Sequence, residues 1–385
     1  MYSKIIDMAN KFIDDSSPEK PAWNQEVLLG HIKPGWNYID GCMIKAFLDL
    51  YDATQDRRYL DFADNYVDCF ISGDGSILGY KQEDYNIDHI NEGKVLFTLH
   101  RLFGKEKYRK AIDVLYNQLM DHPRTKSGNF WHKKIYPNQV WLDGLYMALP
   151  FYAEYETLFN ESKNTRDIFT QFKNVYENMR DTSNGLMYHG RDESHECFWA
   201  DPTTGLSKNF WSRSLGWYCM ALLNTAEKID ERQFYERETL IRHLREIVDA
   251  VLKVSDKETG MLWQVTTAHG KDGNYLETSA SCAFAYTLMK GARLSFLPEY
   301  YFGRGKRIFD SVVSEKLKET AEGLVLTDIC LVAGLGVYQG KGSYKERDGT
   351  YEYYISEPRV DNDAKGVAPF FMAYAEVYRK ERVKL

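Results

Sequence analysis

The sequence predicts an all-α fold, a closed (α/α)6 barrel with an inner ring of helices inside an outer ring. Three observations carry this. Two kinds of helical stretch alternate along the 385 residues, one with an apolar stripe and one apolar nearly all round. The buried stretches recur at about 50 residues at first and more widely later, without the fixed period of an open solenoid of helix pairs. No linker interrupts the pattern, so residues 1–385 read as a single domain.

In chain order, Ile5, Met8, Ala9 and Phe12 give residues 3–14 one dry face. The first buried stretch, 41–51, follows. Tyr59, Phe62, Ala63, Tyr66, Val67 and Phe70 stripe the next outer helix, before the buried stretch 92–103. Tyr108, Ala111, Ile112, Leu115, Tyr116 and Leu119 stripe the third outer helix, before buried 143–155. Ile168, Phe169, Phe172, Val175 and Tyr176 precede buried 213–223. Leu240, Ile241, Leu244, Ile247, Val248 and Val251 precede buried 279–289. Ile308, Phe309, Val312 and Val313 form a weaker stripe before buried 364–374. A helix without a polar face is buried on every side, and small residues let such helices approach closely. Pro150 and Pro369 fall inside two of these stretches, where kinks are expected.

Composition narrows the function. Hydrophobic residues at 44% and charged residues at 27% are those of a globular chain with a large core. A net charge of −7 opposes nucleic-acid binding by counterion release. No apolar run spans a bilayer, and the N-terminus lacks the basic segment and apolar core of a secretion signal. The six scattered cysteines form no CxxC pair and read as reduced thiols, so the expected location is cytoplasmic. Aromatic residues reach 15%, which suits either a large core or a cleft that stacks on sugar rings.

Polar and aromatic loops precede each buried stretch: 36–41, 85–93, 140–144, 209–217, 275–279 and 359–363. In a toroid these loops converge on one mouth. Asp, Asn and Ser there also serve as helix caps, which explains many single positions. Capping does not explain tryptophans 36, 131, 141, 211, 217 and 263, which lie in or next to such loops. Asp88 and Asp143 each precede a neighbouring inner helix and are the best carboxylates for proton transfer. Arg213 stands between Trp211 and Trp217 and either pairs with an acid or binds an anionic ligand. His132, Lys133 and His189 lie in loops of the same phase. No metal or cofactor is expected, since HExxH and other ligand patterns are missing. Gly334-Leu-Gly336 and Gly340-Lys-Gly342 lack the context of a phosphate loop and read as an ordered loop between helices. No nucleophile elbow is present.

Tyr85-x-x-Asp88-x-x-x-x-Gly93, Trp141-Leu-Asp-Gly-Leu-Tyr-Met-Ala148, Trp211-Ser-Arg-Ser-x-Gly-Trp217 and Tyr275-x-Glu277-Thr-Ser-Ala280 together resemble glycoside hydrolase family 105, the unsaturated rhamnogalacturonyl hydrolases. The resemblance runs from about Trp36 to about Tyr378. It implies the same barrel and release of 4,5-unsaturated galacturonic acid from rhamnogalacturonan fragments left by pectin lyases. By resemblance, Asp143 is the general acid/base that protonates C4 of the vinyl ether, and Asp88 is the second acid of the site. His189, Trp211, Arg213 and Trp217 fall around the unsaturated uronate, as do Tyr38, His132 and Lys133. The expected partner is a small unsaturated oligosaccharide, with no nucleic acid or membrane, and the chain is expected to be a monomer or weak homodimer. The alternatives are the related family 88 unsaturated glucuronyl hydrolases, an inverting glycosidase, an epimerase, a helical scaffold, or a catalytically silent sugar-binding barrel.

Overall fold

The computed structural model describes residues 2–340 and 343–382. Helices α1 (Tyr2–Asp14), α2 (Gln25–Leu28), α3 (Tyr38–Thr54) and α4 (Arg57–Asp68) open the chain. A 3-10 segment, Ile87–Gly93, leads into α5 (Lys94–Phe103), followed by α6 (Glu106–Asp121). Next come α7 (Leu142–Phe159), α8 (Thr165–Met179), α9 (Ser212–Lys228) and α10 (Phe234–Val254). The rest are α11 (Thr278–Arg293), α12 (Tyr300–Glu315), α13 (Tyr351–Ser356) and α14 (Ala364–Arg382).

The inner ring closes. α3 packs on the Ile87–Gly93 segment, that segment on α7, α7 on α9, α9 on α11, α11 on α14, and α14 back on α3. Outer helices α4, α6, α8, α10 and α12 each pack on the inner helix before them. The remaining outer position falls to α1, whose Phe12 ring meets Phe371 of α14 edge-on at 6.2 Å. The expected (α/α)6 barrel is therefore formed with its first helix covering its last. Gly41 shows how closely the ring is drawn: a Cβ there would lie 2.6 Å from the Glu92 Cα.

Three expectations need correction or refinement. Residues 92–93 end the 3-10 segment rather than begin a helix, because the chain must first turn Asp88 and Glu92 inward. The late glycine segment is no simple loop. Gly336–Gly340 pairs antiparallel with Ser343–Arg347, and Leu317–Thr320 with Gly323–Leu326. Gly336, at φ +107°, turns the chain into that ladder, a conformation only glycine adopts freely. Residues 341–342 lie outside the described residues.

The prolines end neither helix: α7 continues through Pro150 and α14 through Pro369. Proline at 150 has no N–H for the carbonyl of Tyr146 four residues earlier. Buried Lys94 fills the vacancy, its Nζ donating to the Tyr146 carbonyl at 3.0 Å and standing 3.5 Å over the Tyr146 ring.

A short turn recurs after outer helices and was not read from the sequence. Thr125–Gly128, Asp181–Gly185 and Asp256–Gly260 each close with a glycine N–H donating back to the first residue's carbonyl, at 3.0, 2.7 and 2.7 Å. Four residues beyond each glycine stand His132, His189 and Gln264, all buried. The repeat is thus legible in turn phase even though its period varies.

Candidate active site

The starts of the inner helices surround a cavity of about 560 Å³. Tyr38, Asp88, His132, Lys133, Asp143, Trp211, Arg213 and Trp217, all singled out from the sequence, line it together. The described helices include none long and apolar enough to cross a membrane. Among the described residues, no group of three or more His, Cys, Asp and Glu side chains is placed to hold a metal ion.

Asp143 sits in the first turn of α7, directly after the strand Gln139–Trp141. That strand pairs antiparallel with Gly190–Asp192, and the Leu142 N–H donates to the His189 carbonyl at 3.0 Å. This ladder pulls His189 behind Asp143. His189, which the resemblance puts around the unsaturated uronate, is fully buried and is not among the residues that line the cavity. Its Nε2 lies 3.3 Å from Asp143 Oδ2, and neither atom makes an aligned hydrogen bond. Its Nδ1 lies 2.7 Å from the Tyr354 hydroxyl.

Asp88 lies across the cavity in the 3-10 segment, its own N–H capped by Asn86 Oδ1. Burial raises its proton affinity. Lys133 Nζ at 2.7 Å and His132 Nε2 at 3.6 Å outweigh burial and hold Asp88 below the usual carboxylate range. Lys133 is raised in turn by Asp88 against its burial. Burial brings His132 down to about 4, so it is a neutral ring at ordinary pH. That ring stacks on Trp141 at 4.3 Å, and Tyr136 stacks on the same indole at 5.1 Å. Trp217 stacks on Tyr146 at 4.7 Å.

Of the two readings of Arg213, the structure shows pairing with an acid, Glu277 rather than Asp88 or Asp143. Arg213 lines the cavity, yet its Nε donates to Ser279 Oγ at 2.7 Å, Nη2 donates to the Cys330 carbonyl, and Nη2 lies 3.6 Å from buried Glu277. Its fork therefore ties the 330–331 wall to the start of α11.

Several cavity residues were not singled out: Glu26, Arg347, Glu357 and Lys365. Lys365 Nζ holds Glu26 at 2.9 Å and Asp363 at 3.2 Å. Glu26 and Lys365 are 339 positions apart, so no local pattern announces them. Trp141 was visible as a loop tryptophan. Of the other loop tryptophans, Trp36 donates instead to the His89 carbonyl at 2.8 Å, away from the cavity lining.

Residues 6–381 match the sequence model of Glycosyl Hydrolase Family 88. The chain belongs to that family. A solved family 105 glycoside hydrolase from C. acetobutylicum ATCC 824 is 44% identical, with a TM-score of 0.85 over 92% of this chain and 98% of that one. The family 105 resemblance carried by the loop motifs therefore holds along almost the whole barrel, and the protein is a glycoside hydrolase of this kind. A 24.9 kDa protein in the picA locus of Rhizobium radiobacter is 37% identical over 60% of this chain and 97% of its own length. The unsaturated rhamnogalacturonyl hydrolase YesR of Bacillus subtilis strain 168 is 26% identical over 67% of this chain and 72% of its own. Within this glycoside hydrolase family, the paired carboxylates and stacked aromatics of the cavity form the candidate catalytic centre.

Proposed function

We propose that the protein releases 4,5-unsaturated galacturonic acid from unsaturated rhamnogalacturonan oligosaccharides. The observation that carries this is the different setting of the two carboxylates on one cavity: Lys133 Nζ at 2.7 Å holds Asp88 below the usual carboxylate range, while Asp143 faces His189 Nε2 at 3.3 Å. On that contrast we assign the proton transfer to Asp143. The Bacillus subtilis relative bears the same activity in its name.

The chemistry suits these residues. Asp143 donates its proton to C4 of the vinyl ether, and the C4=C5 electron pair forms the new C–H bond. Positive charge develops on C5 and the ring oxygen. Water adds at C5 and returns a proton to the Asp143 carboxylate, giving a hemiketal. The hemiketal opens, the partner sugar leaves as an alcohol, and a 4-deoxy-5-keto uronate remains. Because bond breaking at the anomeric carbon follows from ring opening, the carboxylate spacing of ordinary glycosidases does not govern the reaction. Lys133, Arg213, Arg347 and Lys365 line the cavity, each beside a carboxylate of its own, and are the cations on offer to the uronate carboxylate. Trp211, Trp217 and Trp141 supply faces for the sugar rings.

The test is ultraviolet absorbance with unsaturated galacturonyl-rhamnose. The double-bond signal is expected to disappear with the protein and to persist with Asp143→Asn. A flat trace with this substrate and rapid loss with unsaturated glycosaminoglycan disaccharides would transfer the proposal to glucuronyl substrates. Silence on both would remove it.

A further inference from the structure

We infer that Tyr354 is a positioning residue that sets the tautomer of His189 and so places the transferable proton of Asp143 on Oδ1. This rests on the proposed role of Asp143 as general acid.

Tyr354 belongs to α13, and its side chain is wholly buried, 165 positions from His189 in the chain. Its hydroxyl has a single partner among the described contacts, His189 Nδ1 at 2.7 Å. A buried O–H without an acceptor costs more than an oxygen with one idle lone pair. Tyr354 therefore donates, and Nδ1 accepts. A ring that carries a single proton then carries it on Nε2. Nε2 faces Asp143 Oδ2 at 3.3 Å, and both atoms are buried, with no aligned hydrogen bond to any other group or to each other. An N–H at Nε2 therefore has Oδ2 as its nearest acceptor, one small ring rotation from alignment. A proton on Oδ2 would meet that N–H head-on. Since Oδ2 is buried, the part of the Asp143 carboxylate open to a sugar is Oδ1.

The surroundings hold this geometry. Gln264 Nε2 donates to the Tyr354 carbonyl at 3.1 Å, while Gln264 Oε1 accepts from the Trp211 indole at 3.1 Å. Trp211 stacks with Tyr354 at 6.2 Å and lies 4.8 Å from the His189 ring. The titratable groups bearing on His189 are Asp143, Tyr354 and, from the facing loop, His132. Burial drives the Tyr354 phenol well above its ordinary value, so it stays a proton donor throughout the working pH range.

The experiment is nitrogen-15 NMR of histidine-labelled protein, with His189→Gln used to assign the His189 signals. The wild type is expected to show His189 protonated at Nε2 only. Tyr354→Phe is expected to release the ring to a tautomer mixture and to lower kcat roughly tenfold, the scale of one ordinary hydrogen bond. KM should stay within about twofold of the wild type. A wild-type ring protonated at Nδ1 would overturn the inference without any variant. So would a Tyr354→Phe protein with unchanged tautomer and unchanged kcat. Because the NMR readout needs no turnover, failure of the tautomer assignment is distinguishable from failure of the Asp143 role, which Asp143→Asn tests alone.

Discussion

Lys133 Nζ stands 2.7 Å from Asp88 Oδ2 in a site where Asp88 is nearly buried. Burial alone raises the proton affinity of this carboxylate. The ammonium reverses that and is the nearer of the two basic groups facing Asp88, His132 Nε2 lying 3.6 Å away. In the proposed reaction the two acids of the cavity take separate roles: Asp88, held as an anion, is suited to accept hydroxyl hydrogens or steady positive charge, while Asp143, beside His189, is the proposed proton donor.

Replacing Lys133 tests this division. In Lys133→Met, Asp88 loses the charge that depresses its pKa, and burial raises it. Because the active form carries ionised Asp88, the acid limb of the kcat/KM profile should move to higher pH. The wild-type profile is the reference, and an unmoved acid limb would show that Asp88 ionisation does not govern turnover.

Asp143→Asn should keep the fold and lower kcat by at least about 100-fold, the scale of a lost general acid. Asp88→Asn should also lower activity, but it leaves Lys133 buried without its carboxylate. Its thermal transition should therefore fall further than that of Asp143→Asn. Parallel melting curves and turnover measurements separate the two roles.

The Tyr146 carbonyl, deprived of a helical donor by Pro150, gives a double-mutant test of Lys94. Lys94→Met leaves that carbonyl buried and unpaired, at a cost of about 1–3 kcal/mol. In the Pro150→Ala background an amide N–H returns to the carbonyl, so the cost of Lys94→Met should shrink. Burial lowers Lys94 to about 7. Between pH 7 and its ordinary value near 10.5 the unfolded chain holds a proton that the folded chain lacks, so Lys94 makes stability rise with pH across that window. Urea unfolding at pH 6 and pH 9 should show this rise in the wild type, and a smaller one in Lys94→Met.

The barrel was legible because its inner helices have no polar face, a property local to each segment. The mouth was legible for a related reason: acids and tryptophans cluster just before those helices, and closure of the ring brings the clusters together. Contacts between remote segments were not legible. Nothing near Arg213 reveals that Glu277 and the carbonyl of Cys330 will occupy its guanidinium, although the loop containing Glu277 was recognised as part of the mouth. That His189 would sit buried against Asp143 was not legible, because its position depends on a three-residue strand pairing that carries too little alternation to be read. The Glu26–Lys365 pair joins the two ends of the chain and exists only once α14 closes on α3.

Arg213 provides the last test, since its cavity-facing and structural roles predict different losses. Glu277 is fully buried, and its carboxylate also accepts from the N–H groups of Ser279, Ala280 and Cys330. Arg213→Ala removes the cation beside it and frees the 330–331 wall, so stability should fall by about 3–5 kcal/mol, as when one member of a buried ion pair is deleted. Arg213→Ala/Glu277→Gln removes the uncompensated charge and should recover part of that loss. If Arg213 also meets the uronate carboxylate, the double variant, though refolded, should still bind the charged disaccharide more weakly, while a neutral methyl-ester analogue is affected less. Equal weakening on both ligands would confine Arg213 to holding the wall in place. Urea midpoints for the two variants, with calorimetric titration of both ligands into the double variant made inactive by Asp143→Asn, decide between these outcomes.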